Sequence, residues 1–598
     1  MVTQAIETLR SAFPSTDTPT EPVVGDMCLV STSENRYFHN PIDVYSTHEV
    51  AEVMSLIETI NARVQSESLY AAGYLAYEAA TAFDSALVTH PPAREPVLWF
   101  GLYKDYASTL PEPSAQAVDI SQWTPSVSRG EFDIAIDRIR NYIAAGDTYQ
   151  VNYTFPMYAD FCGSPYAWFR QLCDAQRADY CTYLNTGSHV IMSASPELFF
   201  RLDGTRLTTM PMKGTIARGP TLASDHAQRD RLSNSQKDRA ENIMIVDLVR
   251  NDMGRISETG TVRVESRFNA AKFDTLWQMT STITSETHAE IPEVFKALFP
   301  SGSITGAPKI RTTQIIRELE PQPRGAYCGA IGYWGPDHQA EFNVAIRTAT
   351  LNVEEEKLVY SVGAGITWDS SSEAEYAECL LKAEVVSRPK PQFDLLESLL
   401  WDGDYFLLER HLTRLNQSAE YFGFAFEESV VRAALTGVTD RIESDALKVR
   451  LLLSRNGNLA TETTPIIPTD TCSITLAREP VDQDDVFLYH KTTHRSIYDS
   501  ALDKAETDDV VLWNTRGEIT ESTRANVVIK RNGIWTTPPV PSGLLAGTYR
   551  AQLLDDGSIQ EGIITKGDFV SADEVCLINS VRRWIPVNLL HSDSVPGR

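Results

Sequence analysis

Apolar and polar residues recur along the first 390 positions with two different periods. Apolar residues spaced three and four apart predict helices over residues 48–65, 130–145, 226–250 and 310–318. Alternating or continuous apolar runs predict strands near residues 190–210, 325–334, 341–351 and 357–367. The mixture of the two periods predicts an α+β fold for this part of the chain.

One predicted helix, in "KDRAENIMIVDLVRNDMGRI", places a glutamate beside an apolar face. Glu241 lies to one side of that face and could reach a ligand, although a single glutamate in such a place is more often an ordinary surface residue. Four apolar residues at helical spacing are expected to be buried: Ala240, Ile243, Met244 and Leu248.

A second helix is predicted in "SSSEAEYAECLLKAEVV". Ser372 followed by Glu375 fits a capping box at its start. Glu375, Glu378 and Lys382 share one face, at spacings of three and four residues. Carboxylates from two separate helices suit Mg²⁺, which takes one or two protein oxygens and completes its octahedron with water and substrate.

The stretch "VVSRPKPQFDLLES", residues 385–398, predicts a domain boundary. Pro389 and Pro391 bracket Lys390, and each proline forces the residue before it out of helical geometry. A chain of 598 residues is also too long for a single hydrophobic core. We therefore predict two domains, residues 1–390 and 391–598.

Charge and composition narrow the classes of function. The net charge of −27 argues against nucleic acid or an anionic membrane as partner, because both bind clustered lysines and arginines. No apolar run approaches the length that spans a bilayer, and "MVTQAIETLRSAF" lacks the features of a secretory signal, so a cytoplasmic location is expected. The eight cysteines form no CxxC pair and none lies in a Gly-x-Cys-x-Gly turn. We therefore predict neither a zinc site nor a glutaminase nucleophile.

The stretch "TMPMKGTIARG" places Lys213 where a strand is expected to end and the backbone to bend. Glu197 lies sixteen residues earlier, in "SASPELFF". Two strands joined by a hairpin would bring both side chains into one cleft. A partly desolvated lysine can lose its proton and attack carbon, and a nearby carboxylate can carry protons. The alternative is a surface lysine at a strand end.

Eight motifs, in order over residues 130–386, resemble the chorismate-utilising enzymes: "GDTYQVNYTFP", "SPE", "PMKGT", "AENIMIVDLVRNDMGR", "FPSGSITGAPK", "YCGAIGY", "IRTAT" and "VGAGI". That family contains anthranilate, isochorismate and salicylate synthases and aminodeoxychorismate synthase component I. The resemblance implies a chorismate-binding β-sandwich flanked by helices. Members that add water usually carry a lysine where this chain has Gln150, and anthranilate synthases usually carry alanine where it has Lys213. The lysine form is similar to aminodeoxychorismate synthase.

The same resemblance implies roles for individual residues. Lys213 would attack C2 of chorismate while Glu197 helps the C4 hydroxyl to leave, and ammonia would then attack C4 and expel the lysine. Glu241 and Glu378 would hold Mg²⁺. Arg347 would pair with a substrate carboxylate, and backbone amides of a 363–365 turn would assist. The implied substrate-binding residues are Gln150, Thr215, Thr305, Tyr327, Arg347, Gly363, Ala364, Gly365 and Lys382. Gln278 replaces a histidine of many members, so no proton-transfer role is carried over to it.

The last 208 residues resemble class IV pyridoxal-phosphate enzymes, which include branched-chain and D-amino-acid transaminases and 4-amino-4-deoxychorismate lyase. The motifs are "FLLERHLTRLNQSAEYFGF", "FLYHKTTHRSIYDSA", "GEITESTRANVVI", "TTPPVPSGLLAGTYR" and "EVCLINSVRRWIPV". The resemblance implies an α/β aminotransferase-like domain with Lys491 as Schiff-base lysine and Glu521 beside the pyridine nitrogen. It also implies a homodimer through this domain. Further cofactor-binding residues by resemblance are Arg414, Asn526, Gly547 and Thr548.

Together the two halves predict a bifunctional enzyme that makes 4-aminobenzoate, a folate precursor, from chorismate and ammonia, with Mg²⁺ and pyridoxal phosphate as cofactors. Without its own glutaminase, the chain should take free ammonia or depend on a separate glutamine amidotransferase subunit. The enzymatic alternatives are an anthranilate- or isochorismate-forming domain fused to a transaminase, and a synthase with an inactive C-terminal domain. A non-catalytic scaffold for a glutaminase is a further alternative, against which the retained candidate residues argue.

Overall fold

The structure, a computed structural model, describes residues 21–31, 34–387, 391–439, 446–466 and 471–590. Its residues group into two units. The first unit consists of Met1–Ala217 and Arg229–Lys390, and the second of Arg218–Gln228 and Pro391–Arg598. Pro389, on which the predicted boundary rests, lies outside the described residues.

The described strands of the first unit are named in chain order. They are β1 Met27–Val30, β2 Arg36–Phe38, β3 Asp43–Thr47, β4 Tyr70–Leu75, β5 Leu98–Tyr103, β6 Asp119–Ile120, β7 Thr124–Pro125, β8 Gln150–Cys162, β9 Tyr180–Asn185, β10 His189–Ser195, β11 Leu198–Asp203, β12 Arg206–Met210, β13 Met212–Ala217, β14 Arg263–Lys272, β15 Leu276–Glu286, β16 Gly306–Ala307, β17 Ala330–Gly335, β18 Gln339–Val344, β19 Thr348–Asn352 and β20 Lys357–Ile366. The α-helices up to residue 387 are α1 Val53–Glu67, α2 Ala80–Phe83, α3 Arg129–Ala144, α4 Pro165–Gln176, α5 Leu222–Asn234, α6 Gln236–Gly254, α7 Ile291–Leu298, α8 Lys309–Leu319 and α9 Ser372–Ser387.

These strands form two ten-stranded sheets. The first has the order β16-β8-β20-β19-β10-β9-β1-β2, with β6 and β7 also paired to β8. The second has the order β13-β15-β12-β11-β18-β17-β4-β5-β3, with β14 also paired to β15. One apolar core contains residues of both sheets, such as Ile191 of β10 and Phe100 of β5. A second core joins the other face of the first sheet to α3, α4 and α9, which confirms the β-sandwich flanked by helices.

The predicted helices exist, but their ends and faces differ from the sequence pattern in places. The helix predicted over 226–250 is two helices, because Ser235 caps the start of α6 with its side chain. The buried face of α6 was predicted wrongly: Ile243 is 45% exposed. The buried positions are Asn242, Ile245, Val246, Val249, Asp252 and Met253. No helix in the described residues has the length and apolar composition needed to cross a membrane.

The predicted capping box of α9 was also wrong. Ser371, one residue earlier, accepts a hydrogen bond from the Ala374 amide with its hydroxyl. The Ser372 hydroxyl instead donates to the Asp133 carboxylate. A pattern of serines cannot decide which of several adjacent hydroxyls meets a distant partner.

The second unit contains eleven strands in its described residues: β21 Leu395–Trp401, β22 Leu447–Leu453, β23 Leu459–Pro465, β24 Cys472–Leu476, β25 Asp509–Trp513, β26 Ile519–Ser522, β27 Asn526–Arg531, β28 Ile534–Thr537, β29 Gln560–Glu561, β30 Glu574–Asn579 and β31 Arg583–Leu589. Its helices are α10 Leu408–Phe422, α11 Glu428–Thr439, α12 Ser496–Asp503, α13 Thr548–Asp555 and α14 Lys566–Val570. A small sheet has the order β21-β22-β23, and a larger one β26-β25-β24-β31-β30-β27-β28-β29.

The small sheet of this unit has two different faces. Along β22, Val449, Leu451 and Leu453 are buried and pack in a core with α10 and α11. The residues between them are partly exposed, and two of these are Lys448 and Arg450. The alternation follows from the period of two along a strand.

Candidate active sites

A cavity of about 210 Å³ lies in the first unit, and strands of both sheets contribute to its walls with helices α6 and α9. The rest of its lining comes from segments next to β11, β16, β17 and β19. Ten residues predicted from the sequence line it: Glu197, Lys213, Thr215, Glu241, Tyr327, Arg347, Gly363, Gly365, Glu378 and Lys382. Glu197 and Lys382, which are 185 positions apart in the chain, therefore line the same cavity.

Lys213 lies in β13, beside an irregularity of that strand. The pairing of β13 with β15 changes register between Met212 and Thr215, where Gly214 has a φ of +96°. Glycine adopts this left-handed conformation without steric cost. The bend predicted after Lys213 is therefore a bulge inside a strand.

The Lys213 ammonium lies against the bare backbone of β20. A Cβ built on Gly365 would lie 1.9 Å from Lys213 Nζ and 2.6 Å from Gln150 Nε2. The missing side chain at position 365 therefore makes room for both groups. Burial lowers the pKa of Lys213, and the Glu241 carboxylate is the strongest charge that opposes this shift.

Two amide side chains near Lys213 have unpaired polar atoms. Gln150 is fully buried, and within the described residues neither its amide nitrogen nor its oxygen has a hydrogen-bond partner. The Oε1 atom of Gln278, which lines the cavity, is unpartnered in the same sense. A buried polar atom without a partner costs about 1–3 kcal/mol, so a bound ligand that paired with these atoms would gain affinity.

Glu197 is buried at the connection between β10 and β11. As the hairpin predicted, β11 and β12 are antiparallel neighbours, with Leu198 opposite Met210. Burial raises the pKa of Glu197 to about 7, although the Ser303 hydroxyl, the Met212 amide and the Lys213 ammonium act in the opposite direction. A carboxyl with this pKa can hold or release a proton near neutral pH.

Arg347 lines the same cavity in a strained backbone conformation. Its φ is +51°, a value that costs a non-glycine residue about 1–3 kcal/mol. Its Nη1 donates to Gln176 Oε1 at 2.6 Å, and its guanidinium lies 5.1 Å from the centre of the Phe273 ring. Burial lowers its pKa. The remaining donors of the guanidinium suit a carboxylate placed in the cavity.

The carboxylates of α6 and α9 face the cavity under different constraints. Burial raises the pKa of Glu241. Burial acts in the same direction on Glu378, but the Lys382 ammonium, 2.7 Å from its Oε1, outweighs it and holds the Glu378 pKa below its usual range. Lys382 Nζ also donates to the Gly363 carbonyl at 2.9 Å.

Mg²⁺ fits this pair of carboxylates, because the ion accepts one or two protein carboxylates when substrate and water supply its other oxygens. In the described part of the chain, no group of three or more histidines, cysteines, aspartates or glutamates is placed to hold a metal by itself. Glu241 and Glu378 would therefore need a carboxylate of the substrate to complete the site.

Three predicted residues of this unit lie outside the cavity lining: Gln150, Thr305 and Ala364. Thr305 is buried and donates to the Ser301 carbonyl at 3.0 Å. Ala364 points into the apolar core on the other face of the sheet. The predicted turn at 363–365 was wrong, because these residues lie inside β20, paired with β8. Glycines in a sequence favour the prediction of a turn. Here they lie within a strand, where the missing side chain lets other groups approach the backbone closely.

The cavity also contains residues that the sequence analysis missed. Glu375, Lys237 and Asp238 line it beside the predicted carboxylates. Glu375 shares a helix face with Glu378, a spacing that was visible in the sequence. Lys237 and Asp238 lie in the first turn of α6, and only the start of that helix at Ser235 could have indicated them.

In the second unit, Lys491 follows a short helical turn and pairs with strand β21. Its carbonyl accepts a hydrogen bond from the Leu396 amide at 2.9 Å. Burial, together with the Arg414 and Arg495 guanidinium groups, lowers the pKa of Lys491 to about 8, although the carboxyl groups of Glu397 and Glu521 act in the opposite direction. A lysine with this pKa is a base and nucleophile near neutral pH.

Glu521 lies in β26, 4% exposed, among hydrogen-bond donors. Tyr498 Oη donates to its Oε1 at 2.8 Å, and the Leu545 amide donates to the same oxygen at 3.2 Å. Asn526 Nδ2 donates to Oε2 at 3.4 Å. These three hydrogen bonds hold the carboxyl in one orientation. Burial raises the pKa of Glu521 to about 7.

Arg414 is fixed by a carboxylate that the sequence analysis missed. Its Nε and Nη2 donate to the two oxygens of Glu397 at 2.9 and 2.6 Å, while Nη1 donates to the Ala546 carbonyl at 3.3 Å. His411 Nδ1 donates to Glu397 at 2.7 Å, and its Nε2 lies 3.2 Å from Thr548 Oγ1. His411 precedes Arg414 by three residues, so α10 presents both on one face.

Gly547 caps the start of α13, with Thr548 as its first residue. A Cβ at position 547 would lie 2.0 Å from Asn526 Oδ1, so only glycine fits there. Free amides at a helix start bind anions, and the Arg414 guanidinium is directed to the same place. A buried lysine, a buried carboxyl and an anion site form the donor set that pyridoxal phosphate requires, so these residues fit that cofactor.

The second unit also contains the segment Arg218–Gln228, which the sequence analysis did not assign to it. His490, the residue before Lys491, donates from Nε2 to the Pro220 carbonyl at 3.2 Å, and its Nδ1 lies 2.9 Å from Ser418 Oγ. The Arg218 guanidinium lies 3.9 Å from the centre of the Tyr421 ring. Burial lowers the pKa of His490 to about 3.

Residues 14–388 match the family described as chorismate binding enzyme. The chain belongs to that family. Residues 394–590 of this chorismate binding enzyme match a second family, amino-transferase class IV. Both resemblances drawn from the motifs are thereby confirmed.

The curated relatives of this chorismate binding enzyme match its first part. Aminodeoxychorismate synthase component 1 of Klebsiella aerogenes is 39% identical over 305 residues, which are 50% of this chain and 67% of the relative. Anthranilate synthase component 1 of Cereibacter sphaeroides is 33% identical over 287 residues, 48% of this chain and 57% of the relative. The chain spans 57 to 67% of the length of the first three aminodeoxychorismate synthase relatives.

Among solved structures, anthranilate synthase component I from Streptococcus pneumoniae TIGR4 matches with a TM-score of 0.52 and 22% identity. The match covers 64% of this chain and 97% of that one. At this identity the likeness establishes the fold of the first unit only.

Proposed function

We propose that this chorismate binding enzyme makes 4-aminobenzoate in two steps, first aminating chorismate at C4 and then eliminating pyruvate. The observation that carries the proposal is the position of Lys213 Nζ, against Gly365 in a cavity that also contains the buried Glu197. Lys213 is part of the motif that resembles aminodeoxychorismate synthase. Relatives named aminodeoxychorismate synthase are 38 to 41% identical to this chain, and relatives named anthranilate synthase component 1 are 33 to 38% identical.

In the first step, the neutral Lys213 amine attacks C2 of chorismate. Both ring double bonds shift, from C1=C2 and C5=C6 to C1=C6 and C4=C5, and the C4–O bond breaks. Protonated Glu197 gives its proton to the departing hydroxide to form water. Ammonia then attacks C4, both double bonds shift back, and the C2–N bond to Lys213 breaks. Splitting one displacement into two lowers each barrier. Mg²⁺, held by Glu241 and Glu378, would neutralise the substrate carboxylate.

In the second step, the residues of the second unit act on the product of the first. Pyridoxal phosphate supplies an electron sink for the substrate amine. Lys491 removes the proton at C4, the C3–O bond breaks with release of enolpyruvate, and the ring becomes aromatic. Enolpyruvate takes up a proton to become pyruvate. Glu521, held by Tyr498 and Asn526, would face the pyridine nitrogen, while Arg414 would bind the phosphate.

Ammonia has to come from outside the chain, since no cysteine lies in a Gly-x-Cys-x-Gly turn. We propose a separate glutamine amidotransferase subunit as its source, in keeping with the "component 1" in the names of the relatives. Activity that depends on glutamine only after such a subunit is added would support this partner.

A product assay tests the proposal directly. The purified chain is given chorismate, Mg²⁺ and ammonium, with and without pyridoxal phosphate, and the aromatic products are identified by chromatography. 4-Aminobenzoate and pyruvate in equal amounts are expected when pyridoxal phosphate is present. Accumulated aminodeoxychorismate would leave the second step without support, and anthranilate would overturn the role of Lys213.

A further inference from the structure

We propose that a patch of cations next to Lys491 selects, as substrate of the second unit, an amine that carries two carboxylates several bonds away from its nitrogen. The cationic patch consists of Lys448, Arg450, Arg495, Arg524 and Arg582. The inference rests on the pyridoxal chemistry proposed above. It adds the residues that would make the second unit prefer a lyase substrate to an α-amino acid.

Strand β21 connects Lys491 to two members of the patch. The Leu396 amide donates to the Lys491 carbonyl at 2.9 Å. Ser398, two residues further, lies on the same face of the strand as Leu396 and is paired with Arg450 of β22. Lys448 follows on that face, opposite Leu400. The polar face of the small sheet therefore begins beside Lys491.

The connection between β30 and β31 adds a third cation to this face. Ser580 Oγ donates to the Ser398 carbonyl at 3.3 Å. The turn is fixed by Asn579 Oδ1, which accepts from the Arg582 amide at 2.8 Å. Arg582 therefore lies two residues after Ser580, which contacts β21. Strand β21 is in turn paired with Arg450 of β22.

Arg495 and Arg524 complete the patch from the side of Glu521. Arg495, four residues after Lys491, donates to the Thr523 carbonyl, and Arg524 is the next residue. The Arg495 guanidinium lies 4.7 Å from the centre of the Tyr498 ring, whose hydroxyl binds Glu521. The Arg495 side chain therefore borders the groups that would hold the cofactor.

The four arginines of the patch act on its lysine. Burial lowers the pKa of Lys448, and Arg450, Arg582, Arg524 and Arg495 all lower it further. Carboxylates border the patch: Glu462 lies 3.5 Å from Arg450, Asp499 lies 4.0 Å from Arg495 Nε, and Arg524 is among the groups that lower the pKa of Asp508. Among the described residues, the buried Nε of Arg450 has no hydrogen-bond partner.

Such a cluster is unexpected in a chain of net charge −27. Repulsion between like charges and an unpaired buried donor both destabilise the protein without ligand. A dianionic ligand would remove both costs. The patch is therefore better explained by a bound anion than by stability.

The position of the patch indicates where the carboxylates lie on the substrate. An α-amino acid carries its carboxylate on the carbon that bears the amine, so a transaminase needs a cation directly beside the reacting carbon. Leu396 and Ser398 are about 7 Å apart along the strand, and the patch extends further, to Lys448. The proposed substrate, 4-amino-4-deoxychorismate, has one carboxylate across the ring from its amine and another on its enolpyruvyl group.

The test uses the full chain loaded with pyridoxal phosphate and supplied with purified 4-amino-4-deoxychorismate. Arg450→Gln and Arg582→Gln are each expected to raise KM about 10- to 100-fold, the effect of losing a hydrogen bond to a charged group. The kcat for pyruvate release and the absorbance of bound cofactor should change little. Arg531→Gln is the matched control, because that arginine pairs with Asp568 away from the patch.

Two further measurements make the outcome decisive. Arg450→Lys, which keeps the charge, should recover part of the lost affinity. If the wild type is active and the Arg450→Gln/Arg582→Gln double variant has an unchanged KM, the role of the cationic patch is overturned while the lyase step stands. D- or L-alanine being a better substrate than the dicarboxylate would also overturn the role of the patch. A wild type that binds the cofactor but releases no pyruvate would overturn the proposed lyase step as well. Unchanged absorbance of the bound cofactor in each variant shows that the second unit is folded.

Discussion

The two units each place a buried lysine beside a buried carboxyl, but the charge that acts most strongly on the lysine has the opposite sign in each. Glu197 and Glu521 both have a pKa raised to about 7 by burial. Burial lowers the pKa of both lysines as well. Around Lys213 the carboxylate of Glu241 opposes that shift, whereas around Lys491 the guanidinium of Arg414 reinforces it and the pKa falls to about 8.

The difference teaches that burial alone does not set the state of a lysine. A neutral amine is favoured where cations surround it, and an ammonium where carboxylates do. The carboxylates of the first unit are also the residues that would bind Mg²⁺, and the arginine of the second unit is the one that would bind a phosphate. In each unit, the groups that would hold the cofactor also tune the lysine.

The largest expected effect is the loss of one reaction step when the lysine of either site is replaced by alanine. Lys213→Ala should lower C4 amination from ammonia about a thousandfold or more, because the nucleophile is lost. Lys491→Ala should do the same to pyruvate release and leave aminodeoxychorismate to accumulate. Amination and elimination are measured separately in both variants. Amination at the wild-type rate in Lys213→Ala would disprove the covalent route.

A smaller change at Gly365 tests the position of the Lys213 ammonium without removing it. Gly365→Ala places a Cβ where Lys213 Nζ now lies, 1.9 Å away. Displacing a reacting group by about 1 Å costs about 100-fold, so kcat/KM for chorismate should fall by that factor, with little change in Tm. Gly254→Ala, which meets no atom within 4 Å, is the control. Equal activity of the two variants would show that the lysine moves freely.

The sequence predicted which residues of the first unit share a cavity better than it predicted their local geometry. Ordered motifs identified Lys213, Glu241 and Glu378, which line one cavity in the structure. The turn at 363–365 and the capping box at Ser372 were wrong, because glycine and serine serve several structures and only the neighbouring elements decide which. Those neighbours come from distant parts of the chain.

The supporting residues of the second site were missed for a related reason. Glu397 and His411 orient Arg414 through contacts between β21 and α10, a pairing that no local pattern encodes. The segment Arg218–Gln228 joins the second unit although it lies far from it in sequence. Side chains that act through other side chains leave only weak signals, such as the three-residue spacing of His411 and Arg414.

Glu397→Gln sharpens the comparison at the phosphate end of the second site. The charged acceptor of Arg414 is lost, so the affinity for pyridoxal phosphate should fall about 10- to 100-fold. Cofactor titration followed by absorbance measures the effect, and amination by the first unit should stay unchanged. Glu409→Gln, an exposed glutamate on the same helix that pairs with Arg432, is the matched control. Equal cofactor affinity in both variants would argue against Arg414 as the phosphate ligand.

The smallest expected effect is the loss of stability of the second unit in acid. His490 has a pKa of about 3 in the folded chain, against an ordinary value of 6.5. The unfolded chain therefore binds the proton first, and the stability that neutral His490 provides is complete above pH 6.5 and is lost as the pH falls toward 3. The slope is at most about 1.4 kcal/mol per pH unit. Thermal unfolding at pH 7, 5 and 4 should show a shallower decline for His490→Gln, which cannot titrate, than for the wild type. His288→Gln is the control, because that side chain is 76% exposed, and its pH profile should follow the wild type. Identical pH profiles of all three proteins would contradict the prediction. They would show that His490 titrates normally and that its contact to the Pro220 carbonyl does not persist in solution.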